Sequence, residues 1–92
     1  MEIRIPREAL HKGLSKVQGV ADPRAAQPIL ANVLLEATDK TLVLTATDFE
    51  IAVQASLEAE VVQTGRLTLN ARRLYDIVRE LPEETVHLVA QQ

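Results

Sequence analysis

Cysteine and tryptophan are both absent from the 92-residue chain, which has a single phenylalanine and a single tyrosine. The lack of cysteine excludes disulfide bonds, thiolate nucleophiles and cysteine-ligated zinc. The shortage of aromatic side chains means that the hydrophobic core has to be built from leucine, isoleucine, valine and alanine. A chain of this length forms one small domain, because it buries only about 60–65% of the surface that its unfolded form exposes.

Long apolar runs and targeting signals are also absent. No stretch approaches the ~20 consecutive apolar residues that a transmembrane helix requires. Residues 1–4 (MEIR) lack the basic and apolar regions of a secretory signal peptide. Together with the absence of cysteine, these features predict a cytoplasmic protein that makes no membrane contact.

Sites for bond chemistry, metal ions and phosphate loops are not recognisable either. The three glycines are isolated, so there is no glycine-rich phosphate loop. His11 and His87 have no third ligand at a metal-binding spacing, which predicts two surface residues. Asp48 follows a predicted strand, which favours a turn aspartate over a catalytic one. The sequence therefore predicts a protein that is not an enzyme and has no metal and no cofactor.

What the sequence does contain is one strand-and-helix pattern that occurs twice, 64 positions apart. In each copy two alternating apolar residues, typical of a strand, lead into apolar residues at helical spacing. The equal spacing predicts a duplicated unit in which two helices pack on one side of a sheet. Coincidence is the alternative, because strand–helix units are common. The matched pairs are Ile3 and Leu67, Ile5 and Leu69, Leu10 and Leu74, Leu14 and Val78, and Val17 and Leu81.

The predicted fold class is α+β, with two helices on a mainly antiparallel sheet. Pro6 is predicted at the first helical position, where its missing N–H costs nothing. Asn70 is the predicted N-cap of the second helix, which ends at Leu81 and Pro82. The strands alternate apolar and polar residues, which is typical of an antiparallel sheet with one covered face. Their predicted ranges are 2–5, 32–37, 41–47, 51–57, 66–69 and 86–90.

The second copy of the pattern is shorter than the first. Three predicted strands follow the first helix, whereas only residues 86–90 form a strand after the second. If the duplication is genuine, the single domain formed by residues 1–92 lacks its last two strands. Its final strand would then have an unpaired edge to which another chain could add.

Charge is distributed unevenly along the chain. The net charge of −3 by itself argues against nucleic-acid binding. Residues 6–24 and 71–81, the predicted helices and the loop after the first, nevertheless carry seven basic and four acidic residues. The remainder carries three basic and nine acidic residues. The helical side is therefore predicted to be basic and the sheet acidic.

Several segments resemble the N-terminal domain of the bacterial sliding clamp family, the β subunit of DNA polymerase III. The longest are residues 28–35 (PILANVLL), 42–50 (LVLTATDFE) and 70–77 (NARRLYDI). The similarity also covers residues 7–10 (REAL) and 81–83 (LPE). Each segment alone is unspecific, but their order and spacing extend over nearly the whole chain.

The resemblance implies a DNA-clamp fold, with the second of two β-α-β-β-β units incomplete. In the family, three such domains per subunit and two subunits form a ring around duplex DNA, with the helices lining the hole. The chain is thus expected to be part of a processivity factor that slides without sequence specificity. The expected partners are duplex DNA, the other clamp domains and the second clamp subunit. The polymerase and the clamp loader would bind only through regions outside these residues.

The resemblance also implies site residues. Arg24 lies in the loop where the family carries an arginine close to DNA. Arg73 and Ile77 match positions that border the neighbouring subunit, and core packing of Ile77 is an equal alternative. The helix cations expected to line the hole are Arg7, Lys12, Lys16, Arg72 and Arg79. For any one of these cations, and for Arg24, a solvated surface position is the alternative.

A second function from a different class is compatible with the sequence. A small α+β interaction module could pack its helices on a protein partner without a role at DNA. The arrangement of the basic side chains distinguishes the two functions. A DNA-binding role requires them on one face, whereas an interaction module does not.

Overall fold

The computed structural model describes residues 1–18, 32–47 and 51–90. Within these ranges there are two helices, α1 (Arg7–Val17) and α2 (Ala71–Glu80). All pairings between strands are antiparallel, which confirms the predicted α+β class. The strands of the described residues are β1 (Glu2–Pro6), β2 (Asn32–Thr38), β3 (Thr41–Thr47), β4 (Ala52–Glu58), β5 (Glu60–Gln63), β6 (Gly65–Asn70) and β7 (Thr85–Val89).

The strands are divided between two sheets, a division that the sequence does not reveal. One sheet has the order β5–β1–β7 and the other has the order β4–β3–β2–β6. The predicted order lacks β5, which follows β4 after the single residue Ala59. Ala59 is buried and its N–H donates to the carbonyl oxygen of Lys40 at 2.9 Å. The chain passes from one sheet to the other at this residue.

The strand ladders repeat the duplication residue by residue. β1 pairs with β7 so that Ile5 lies opposite Val86, and β6 pairs with β2 so that Leu69 lies opposite Val33. Each residue of β1 is the equivalent of the β6 residue 64 positions later. The residues that pair with them, in β7 and β2, then differ by 53 positions, and this offset is the same along the whole β1–β7 ladder. The first strand of each unit thus pairs with the second strand of the other. Such reciprocal pairing is what a local two-fold axis produces, so duplication explains the pattern better than coincidence.

Helix α1 lies directly on β3 and β4. Its apolar side chains Leu10, Leu14 and Val17 are fully buried. A Cβ atom on Gly13 would lie 2.9 Å from Leu57 Cδ1, so the glycine is what permits this close approach. No strand pair in the described part of the chain covers α2 in the same way.

Burial is accordingly lower in the second unit. Leu35 is completely buried in β2, whereas its equivalent Leu88 in β7 is only partly buried. Leu69 is likewise partly buried, although its equivalent Ile5 is fully buried. The two copies therefore share one backbone plan but differ in how much of it is covered.

The two helices begin differently. Pro6 is the last residue of β1, so α1 begins at Arg7, one residue later than predicted. Pro6, the N-cap residue of α1, makes no side-chain capping hydrogen bond. Asn70 confirms its predicted role, because its side-chain oxygen accepts a hydrogen bond from the Arg73 N–H at 2.9 Å. α2 ends at Glu80, followed by Leu81 and Pro82 as predicted.

Removal of this cap should destabilise the domain measurably. We expect Asn70→Ala to lower the free energy of unfolding by about 1 kcal/mol, because the Arg73 N–H loses its acceptor. Urea unfolding followed by circular dichroism measures the loss. Asn70→Asp keeps an acceptor oxygen and is the matched control, expected to unfold near the wild-type midpoint. Equal losses in both variants would show that the cap contributes nothing.

Candidate nucleic-acid interface

The two helices contact each other through a pair of stacked rings. The ring centroids of His11 and Tyr75 lie 5.0 Å apart and the ring planes differ by 24°. The two residues are 64 positions apart and are therefore equivalents in the duplicated units. The stack consequently lies at the local two-fold axis, with α1 and α2 side by side.

We call the solvent-facing sides of the two helices together the outer helix surface. Its charged members are Glu8, Lys12, Lys16, Arg72, Asp76, Arg79 and Glu80.

The prediction that His11 is a surface residue is wrong. Its side chain is half-buried under Tyr75, and its Nε2 atom is inaccessible to solvent with no hydrogen-bond partner among the described residues. His87 is exposed as predicted, with Nε2 2.8 Å from a carboxylate oxygen of Glu2. The repeat spacing makes positions 11 and 75 equivalent, but the contact between their rings is seen only in the structure.

The helices carry a net positive charge. Between them α1 and α2 contain six basic and three acidic residues, a net charge of +3. Lys12, Lys16, Arg72 and Arg79 are exposed, and Arg7 is half-buried at the start of α1. Five of the six predicted DNA-facing cations thus belong to the helical layer. Arg24, the sixth, lies outside the described residues, and contact of any of them with DNA stays a prediction.

Cations on the strands are neutralised by neighbouring acids. Arg4 on β1 lies 3.7 Å from a carboxylate oxygen of Glu60 on the adjacent β5. Arg66 on β6 lies 3.9 Å from a carboxylate oxygen of Glu36, its cross-strand partner on β2. These are the basic residues of the seven described strands, so the sheets offer little free positive charge.

The two helices differ in whether their basic side chains are paired with acids. On α2, Asp76 Oδ1 lies 3.4 Å from Arg72 Nε and 3.8 Å from an outer guanidinium nitrogen of Arg79. Arg79 Nε also lies 3.3 Å from a carboxylate oxygen of Glu80. On α1, none of the basic side chains Arg7, Lys12 and Lys16 forms an ion pair with another described residue. Lys12 and Lys16 are therefore more available for an external anion than Arg72 and Arg79.

Arg73 and Ile77 lie on the side of α2 that carries no ion pair. They line a shallow cavity of about 210 Å³ together with Leu69, Asn70 and Leu74. Ile77 is 50% exposed, so it is not a core residue in this structure. By the repeat spacing it corresponds to Gly13, which is covered by β3 and β4. The predicted place of Arg73 and Ile77 at a subunit border is untested and stays a prediction.

Two further classes of site, a membrane-spanning helix and a metal site, are absent from the described residues. Neither α1, with 11 residues, nor α2, with 10, is long and apolar enough to cross a bilayer. The described ranges bring together no group of three or more histidine, aspartate or glutamate side chains that could hold a metal ion. Asp48, the turn aspartate of the sequence analysis, lies outside the described residues.

Comparisons with known proteins agree on one family. The family described as DNA polymerase III beta subunit, N-terminal domain, matches residues 1–92. A beta sliding clamp of Synechocystis sp. is 43% identical over 90 residues, which are 96% of this chain and 23% of that protein. A Caulobacter crescentus pol III beta structure matches with a TM-score of 0.93 and 39% identity, over 97% of this chain and 24% of that one.

A second solved structure supports the same match. The DNA polymerase III subunit beta from Pseudomonas aeruginosa has a TM-score of 0.92 and 36% identity, over 100% of this chain and 25% of that one. These likenesses confirm the predicted clamp fold. The chain spans about a quarter of the length of the relatives that it matches.

Proposed function

Because the chain belongs to the DNA polymerase III beta subunit family, whose N-terminal domain it matches, we propose that it is part of a DNA sliding clamp. In this role it forms a segment of a ring around duplex DNA that holds the replicative polymerase on its template. It acts as an accessory subunit in the cytoplasm and performs no bond chemistry. The ring encloses the duplex, so weak contacts with phosphates suffice and no base sequence is read.

The observation that carries this proposal is the outer helix surface. Exposed Lys12 and Lys16 have no ion pair among the described residues, whereas the strand cations Arg4 and Arg66 are paired with acids. A negatively charged duplex is therefore attracted to the helices rather than to the sheets. Arg72 and Arg79 belong to the same surface and Arg7 lies at the start of α1. Arg24, outside the described residues, is proposed to contact DNA with them.

The remaining partners follow from the family. Other clamp domains and a second clamp subunit complete the ring, with Arg73 and Ile77 at the border between subunits. The exposed Ile77 side chain and the adjacent apolar cavity support that placement. Polymerase and clamp loader bind through regions of the clamp outside residues 1–92.

The incomplete second unit is also part of this proposal. β2 pairs with β6 on one side and with β3 on the other. Its equivalent β7 pairs with β1 on the corresponding side and is the edge strand of its sheet among the described residues. The repeat therefore supports a domain whose last two strands are missing, one of which would pair with β7. The partial burial of Leu88 agrees with this.

Fluorescence anisotropy with labelled duplexes tests the DNA contact. We expect a dissociation constant of about 10⁻⁴–10⁻⁶ M at physiological salt, the range of non-specific binding. Two duplexes of unrelated sequence should bind equally, and log K should fall with log [salt] with a slope of about −3 if the three α1 cations contact phosphates. Salt-insensitive or sequence-selective binding would contradict the proposal. Absence of binding at low salt would favour the protein-interaction module.

A further inference from the structure

We propose that Asp76 is a positioning residue that limits how strongly the outer helix surface binds duplex DNA. Its carboxylate holds Arg72 and Arg79 in ion pairs along α2, where they compete with phosphate. The inference rests on the proposed DNA contact and adds to it a residue that sets the strength of that contact.

The geometry places a single carboxylate oxygen between two guanidinium groups. Asp76 Oδ1 accepts a hydrogen bond from Arg72 Nε at 3.4 Å, and an outer nitrogen of Arg79 lies 3.8 Å away. The three residues are spaced i, i+4 and i, i+3 on α2, which places them on one face of the helix. The side chains of Arg72 and Arg79 are 62% and 51% exposed, so both are accessible to a duplex.

The two copies of the repeat differ in charge at the position of Asp76. At the repeat spacing, Asp76 of α2 corresponds to Lys12 of α1. Lys12 is exposed and has no ion pair with the described residues, so the same place on the two-fold-related surface carries a free cation. The sign of the charge is thus inverted at the position that lies next to the His11–Tyr75 stack. One half of the outer helix surface attracts phosphate, and the other half is neutralised by its own carboxylate.

The consequence follows from competition between anions. To contact a phosphate, Arg72 has to give up its ion pair with the Asp76 carboxylate. The net gain in binding free energy from this contact is therefore small. The carboxylate itself also repels the duplex. Without Asp76, Arg72 is released completely, whereas Arg79 still has Glu80 at 3.3 Å. We therefore expect the loss of Asp76 to add one phosphate contact, from Arg72, and no second contact from Arg79.

Asp76→Asn tests this in the same anisotropy titration as the wild-type chain. We expect about two- to fivefold tighter binding at low salt, the range that corresponds to one exposed ion pair. The slope of log K against log [salt] should become steeper by about 0.9, the value for one phosphate contact. Asp76→Glu retains the carboxylate and should bind like the wild type. Thermal unfolding of each variant verifies that it is folded.

The matched control for net charge is Asp39→Asn. Asp39 lies in the turn between β2 and β3, outside both helices, and its φ of 53° is one that asparagine tolerates well. This variant has the same change in charge and should leave the slope unchanged. If it binds as tightly as Asp76→Asn, the effect is one of total charge and the inference about Asp76 is wrong, while the proposed DNA contact stands.

Arg72→Gln distinguishes release of this arginine from loss of repulsion. In the wild-type background the substitution should change the slope little, because Arg72 is already paired. In the Asp76→Asn background it should abolish the gain in affinity. A large loss of binding from Arg72→Gln alone would overturn the inference even if Asp76→Asn did not fold. Failure of the wild-type chain to bind duplex at low salt would overturn the proposed function and this inference together.

Discussion

Leu35→Ala is expected to lower the free energy of unfolding by about 3–4 kcal/mol, the typical cost of truncating a completely buried leucine. Leu35 lies on β2, a central strand, and none of its surface is exposed. The substitution removes apolar contacts and leaves a cavity that a close-packed core cannot fill. Since small domains are stable by only about 5–15 kcal/mol, a large part of the stability would be lost. Urea unfolding followed by circular dichroism measures it.

The chain provides its own control in Leu88→Ala. Leu88 is the equivalent of Leu35 in the repeat but lies on the edge strand β7 and is partly buried. The identical change should cost about 1–2 kcal/mol, because part of this side chain is already in contact with water. Comparable losses at the two positions would contradict the conclusion that the second unit is less covered than the first.

The fold was largely predictable because its strongest signals are local. The spacing of apolar residues in α1 and α2 and the alternation in β2, β3 and β4 depend only on neighbours in the sequence. The N-cap of α2 could be predicted from the identity of residue 70 alone, because asparagine is a preferred capping residue. β5 was missed for the opposite reason. It is four residues long, no turn residue separates it from β4, and its partner β1 lies far away in the sequence, at the start of the chain.

The candidate site was predictable to a lesser extent. Helical periodicity places Lys12, Lys16 and Arg72 on an outward face, and the structure has them exposed there. Periodicity cannot specify which acid an arginine selects, so the sharing of Asp76 between two arginines appears only in the structure. The stack of His11 on Tyr75 depends on the distance between the helices, which no local pattern encodes.

The largest effect on DNA binding is expected from the loss of both exposed lysines of α1. The double substitution Lys12→Gln and Lys16→Gln should weaken duplex binding about tenfold at low salt and reduce the magnitude of the salt slope by about 1.8, the value for two phosphate contacts. These lysines have no competing ion pair within the described residues, so each is free to contact a phosphate. Anisotropy titrations between about 50 and 200 mM salt measure both quantities.

A double variant on the strand side separates this surface effect from total charge. Lys40→Gln with Arg66→Gln removes the same two charges, but Lys40 lies in the turn before β3 and Arg66 is paired with Glu36 on the sheet. We expect its salt slope to equal that of the wild type. Equal weakening by the two double variants would mean that the duplex responds to the overall charge of the chain. Such a result would contradict the proposal that the outer helix surface faces DNA, because that proposal requires the position of the α1 lysines to matter and not only their charge.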